Sequence, residues 1–118
     1  MPYYAVNNFL EVRDLLQIYG SFRIVPQNLD TENRNDLKSG ICVYPEEAGN
    51  PGHGNLPKNT LPGREIKVIN LSKHKYMHVY VHPEDTDTYI SESDRYVDIK
   101  PGSHMTFISV TQKNWIVF

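Results

Sequence analysis

The sequence predicts a mainly β protein, an antiparallel β-sandwich or small barrel with one short N-terminal helix and a long Pro/Gly-rich arm. Three observations carry this prediction. From Arg64 onward, short stretches of alternating apolar and polar residues are divided by turn residues, a pattern spaced for strands. Between positions 46 and 63, Pro51, Pro57 and Pro62 are interspersed with Gly49, Gly52 and Gly54, a composition that suits neither a helix nor a central strand. Eight of the residues are tyrosine, which suits strands and contact surfaces where the ring is half-buried and the hydroxyl stays wet.

The helix is expected at the start. Asn7 or Asn8 can cap it, and Asn8 with Glu11 has the spacing of a capping box. Leu10, Leu15, Leu16 and Tyr19 recur at helical intervals among Glu11, Arg13, Asp14 and Gln17, and Gly20 supplies a stop. Residues 21–25 read as a strand ended by Pro26, and residues 27–39 as a polar loop or loose hairpin. Ile41, Cys42, Val43 and Tyr44 form a second short strand before Pro45. The chain thus divides into a helix–strand segment (1–45), an extended arm (46–63) and a β module (64–118). Long loops in compact domains are usually functional or linkers, and the arm is expected to be removable without unfolding the module. His53, between Gly52 and Gly54, reads as an exposed loop residue.

Within the β module, Ile66 and Val68 share one face of the first strand, while Ile69 and Leu71 make the second face partly apolar too. In the next strand Lys75, Met77, Val79 and Val81 share one side, and His74, Tyr76, His78, Tyr80 and His82 the other. Residues 83–87 turn the chain, and Val97 and Ile99 begin another strand. Pro101 and Gly102 fit a type II turn, with glycine supplying the positive φ. Residues 104–110 return, and a closing strand carries Trp115 and Val117 on one side, Ile116 and Phe118 on the other.

The bulk numbers exclude several classes of function. A chain of 118 residues holds one modest core. Twelve Lys and Arg against fourteen Asp and Glu, with the basic residues scattered, do not make a nucleic-acid surface. Cys42 is the single cysteine, so there is no intrachain disulfide or CxxC site, and its apolar neighbours make it a small buried hydrophobe. No apolar run approaches the ~20 residues of a membrane span, and the start lacks a basic-then-apolar leader, so folding in a reducing cytoplasm is expected.

The candidate chemistry is weak. His74, His78 and His82 on one strand lie about 13 Å apart in sequence steps of four, too far to share an ion bonded at ~2.0–2.1 Å. Their face reads instead as a polar-aromatic contact surface carried by Tyr76, His78, Tyr80 and His82, with Pro51, Pro57 and Leu61 as contacts from the arm. Glu84, Asp85, Asp87, Glu92 and Asp94 form an acidic hairpin connection without the spacing of a calcium loop. Gly102-Ser103-His104 lacks the nucleophile elbow, no paired carboxylates stand out, and the close His-x-His of a cupin-like oxygenase or isomerase is missing. The reading is of a protein that is not an enzyme and takes no cofactor or metal.

The segments Val68-Ile69-Asn70-Leu71-Ser72, Val79-Tyr80-Val81-His82-Pro83, Val97-Asp98-Ile99-Lys100-Pro101-Gly102-Ser103, Thr106-Phe107-Ile108-Ser109-Val110 and Asn114-Trp115 together resemble a β module recurrent in virion proteins of tailed bacteriophages. The likeness covers about the last half of the chain. It departs at residues 85–90, where the module usually has Gly-Asp-Thr-Ile. Residues 9–25 are similar to lead-in segments of phage tail fibres and spikes. The resemblance implies a virion structural role, commonly trimeric, with no catalytic residues to carry over. The expected protein is a capsid decoration or cement protein, assembled in the host cytoplasm, whose partners are its own copies in a homotrimer and the major capsid protein or other virion proteins. In this reading the arm and the N-terminal segment grip the capsid. The alternative is a tail-fibre or receptor-binding module whose tyrosines or Trp115 stack on a host-surface glycan.

Overall fold

The computed structural model describes residues 5–6, 9–10, 12–59, 61–91 and 93–118. Its strands, in chain order, are β1 (Ala5–Val6), β2 (Phe9–Leu10), β3 (Gln27–Asn28), β4 (Asn35–Asp36), β5 (Ile41–Tyr44), β6 (Gly52–Asn55), β7 (Glu65–Asn70), β8 (Met77–Tyr80), β9 (Tyr89–Ile90), β10 (Tyr96–Ile99), β11 (His104–Thr111) and β12 (Asn114–Val117). There is no helix among the described residues. A six-stranded sheet runs β3-β5-β7-β11-β12-β9, a four-stranded sheet runs β10-β8-β6-β4, and β1 pairs with β2.

The mainly β class and strands β5, β7, β8, β10, β11 and β12 follow the sequence pattern, but the sheets are mixed where an antiparallel arrangement was expected. The cause is the path of the chain. From β3 to β8 it crosses from one sheet to the other at every step, so β3, β5 and β7 become parallel neighbours in the first sheet and β4, β6 and β8 in the second. This is a short two-sheet coil, akin to a solenoid in which each turn packs on the last. Within the two larger sheets antiparallel pairing begins only after it, in β7–β11, β11–β12 and β8–β10.

Three expectations are corrected. The N-terminal helix does not form: Leu10 lies in β2, residues 12–20 are irregular, and Asn7, Asn8 and Glu11 lie outside the described residues. A helix this short is marginal alone and needs a surface for its apolar face, yet Leu15 is 70% and Tyr19 89% exposed. Residues 21–25 are extended but unpaired, and the strand starts after Pro26 instead of ending there. Finally, the Pro/Gly-rich stretch is no free arm. It carries β6, which sits between β4 and β8 inside the four-stranded sheet. A Cβ on Gly52 would meet Met77 Sδ at 2.5 Å and Tyr44 Cε1 at 2.7 Å. Glycine is required here because core side chains occupy the space its own would take.

The core lies between the two sheets. Leu37, Tyr44, Leu56, Ile66, Met77, Phe107 and Trp115 are almost fully buried. Ile66, Val68, Met77, Val79 and Trp115 occupy the inward positions that their alternation predicts. Gly102 takes φ +75°, as the expected turn requires.

Candidate functional site

The strongest grouping of polar and aromatic side chains lies on the outer face of the four-stranded sheet. On β8, Met77 and Val79 are buried, so His78 and Tyr80 point away from the core. Register then decides their neighbours. Antiparallel β10 sets Tyr96 opposite Tyr80 and Asp98 opposite His78. Parallel β6 sets His53 beside His78, because Gly52 and Gly54 take the inward positions.

The rings form a continuous row across three strands. His53 and His78 stack with centroids 5.0 Å apart, His53 and Tyr80 at 6.1 Å, and Tyr80 and Tyr96 at 5.6 Å, all within 30° of parallel. The Arg34 guanidinium lies 4.5 Å from the Tyr80 ring centroid, a cation–π contact. His78 Nδ1 donates to the Asp98 carboxylate, which fixes the ring's tautomer. Desolvation, then the neighbouring His78 and Arg34, lower the His53 pKa below its ordinary value. The row therefore favours the neutral form of His53, while the Arg34 guanidinium supplies a positive charge.

This arrangement suits contact more than chemistry. Inner ring faces are turned toward one another, so the row offers solvent its edges and polar tips, with Tyr96 (53% exposed) at one end. Stacked imidazoles do not converge on one ion, and no group of three His, Cys, Asp or Glu placed to hold a metal occurs among the described residues. In the acidic connection after β8, Arg95 donates to the carbonyls of Asp85, Thr86 and Thr88, while Asp85 accepts from the Asn59 backbone N–H at 2.7 Å. Glu92 lies outside the described residues. Cys42 is fully buried, and burial pushes its thiol pKa up to about 11.

The structure thus brings together two of the residues expected at a contact surface, His78 and Tyr80. Tyr76 and His82 flank β8 outside the ring row, where His82 Nδ1 accepts from the Glu84 N–H in a local turn. Pro51 and Pro57 bracket β6, and Leu61 is exposed on the way to β7. His53, expected in a loose loop, is instead half-buried at the centre of the row. The Gly-His-Gly alternation could have revealed it, since period two with glycine inward turns the histidine outward. Tyr96 and Asp98 were legible in the same way, by alternation with Val97 and Ile99; Arg34 carried no such signal. Compared with models of protein families and with curated proteins, the chain matches none.

Proposed function

We propose that the chain is a non-enzymatic structural protein of a tailed-bacteriophage virion, a capsid decoration or cement protein that binds the head surface as a homotrimer. One observation carries the reading: a row of His and Tyr rings, with Arg34 against it, held in register on a four-stranded sheet. Tyr and Arg dominate the energetics of protein interfaces because they bury large area with little flexibility lost and keep a polar tip. A sheet face also holds such groups more rigidly than a loop can. The likeness of the last half of the chain to a phage virion β module points the same way. The major capsid protein is the proposed partner, gripped by this face, since the stretch first expected to reach for it is built into the sheet.

A glycan-binding tail-fibre role competes on narrower ground. Trp115 is 1% exposed and closed to a sugar, which leaves the outer face of Tyr96 as the stacking surface. Co-sedimentation with undecorated phage heads separates the two. Wild-type protein should pellet with heads at a fixed ratio, and Arg34→Glu or Tyr96→Ala should each weaken binding about tenfold or more without moving the unfolding midpoint. Protein that ignores heads but binds host cells or their polysaccharide overturns the decoration reading.

A further inference from the structure

The segment before β3 meets the body near its C-terminal end, where Ile24 lies by Gly40 and the Val25 carbonyl accepts from Ser39 Oγ at 2.7 Å. Residues 14–26 make no backbone–backbone hydrogen bond among the described residues. Their sequence is nevertheless that of a strand: Leu16, Ile18, Phe22 and Ile24 alternate on one side, Leu15, Tyr19 and Val25 on the other. All seven are exposed, Phe22 by 72%. The radius of gyration, 15.1 Å, exceeds the ~13.5 Å of a compact chain this long. An apolar, strand-patterned segment whose backbone pairs with no strand among the described residues is a strand awaiting a sheet edge.

The same chain offers a matching surface. On β11 and β12, Phe107, Ser109 and Trp115 face the core, so Ile108, Val110, Ile116 and Phe118 face outward, with Ile108 directly opposite Ile116. Val110, Ile116 and Phe118 are 43%, 48% and 69% exposed. This patch adjoins an incomplete edge. β9 covers β12 only at Asn114 and Trp115. Phe118 and Thr106 exchange both backbone hydrogen bonds, so the N–H and C=O of Val117 point the other way, with no partner among the described residues.

Segment and patch do not meet within the molecule, where both are exposed. The segment leaves the six-stranded sheet at β3, one edge, whereas the patch lies at β12, four strands away, or about 19 Å. We infer that residues 15–25 of one copy add to the open β12 edge of a second copy and cover its Ile116/Phe118 patch. Donor and acceptor surfaces differ, so the contact is heterologous and head-to-tail, and it can close copies into a ring. The inference shares the self-association of the proposed function but does not need head binding, and its test contains no heads.

Light scattering on the purified full-length chain should give a mass of more than one copy. Ile18→Asp/Phe22→Asp, in the donor segment, and Ile116→Asp/Phe118→Asp, in the acceptor patch, should each be monomeric with unchanged circular dichroism. A one-to-one mixture of the two variants should recover a dimer, because one retains a working patch and the other a working segment. A monomeric wild type, a donor variant that keeps the wild-type mass, or a mixture that stays monomeric each overturns the inference. Success here with no pelleting on heads would leave strand addition standing and remove the decoration role alone.

Discussion

Asn70 shows what one buried polar side chain does in this fold. It is fully buried at the end of β7. Its amide donates to the carbonyls of Lys75 (2.8 Å) and Ile99 (3.0 Å), and its Oδ1 accepts from the Ser72 N–H at 3.0 Å. The residue therefore ties the six-stranded sheet to the lead-in of β8 and the end of β10, across the core. Its backbone adds to the tie, with Asn70 N–H donating to the Ser103 carbonyl and Gly102 N–H to the Asn70 carbonyl. Asn70→Ala would leave two carbonyls and an N–H buried without partners, at about 1–3 kcal/mol for each group left unsatisfied. Partial relaxation reduces the sum, and a loss of about 2–4 kcal/mol is expected in urea unfolding. Asn70→Asp should not rescue it, since a carboxylate cannot donate to either carbonyl. Trp115 contrasts with Asn70: it fills the core, yet its Nε1–H has no partner among the described residues, so its contribution is volume and apolar area. Alternation in the closing strand marked Trp115, but only the packing explains Asn70.

At the scale of the element, β6 is the one that composition misread. Gly-His-Gly-Asn between two prolines has the residue types of a loop, and strand propensity gives no sign otherwise. What makes it a strand is external: Met77 and Tyr44 already fill the core where a β6 side chain would go, and β8 offers its parallel edge. Such tertiary demands leave little trace in local propensity, and the missing helix has the same cause in reverse. The helical spacing of the sequence finds no surface beneath residues 12–19, where Leu15 and Tyr19 remain in solvent. By contrast β7, β8 and β11 were legible because their alternation records burial directly. Alternation marks His53 and Tyr96 as outward-facing, but it does not say that their strands lie on either side of β8, which only the register of the sheet decides. Gly52→Ala tests the reading of β6. Overpacking against Met77 and Tyr44 should destabilise the protein by about 1–3 kcal/mol. The control is Gly49→Ala, where a Cβ meets nothing within 4 Å; it should be neutral or slightly stabilising, by up to about 1 kcal/mol. Equal unfolding midpoints for the two variants would mean that β6 does not approach the core so closely.

Across the whole molecule, the chain divides by role differently from its composition. The coil from β3 to β8 alternates between the sheets, and the later strands build outward from it, β10 on β8 and β11 on β7, with β12 and β9 beyond β11. Removing residues 46–60 would take out β6 and Leu56, leaving β8 without its parallel neighbour and the core without a fully buried side chain. Residues 1–24 stand in the opposite position, for the described apolar side chains among them are largely in solvent, with Ile24 resting against Gly40. Two deletions therefore have opposite expected outcomes. Both are best made in the Ile116→Asp/Phe118→Asp background, where association cannot add to apparent stability by mass action. Loss of residues 1–24 should keep a cooperative thermal transition, its free energy of unfolding within about 1 kcal/mol of the parent, as befits surface positions. Loss of residues 46–60 should abolish the transition, because the gap falls inside a sheet where each strand pairs with the next. A cooperative transition in the second deletion would show that the antiparallel half, β7 to β12, folds without the coil, and the two sheets would then be separable units.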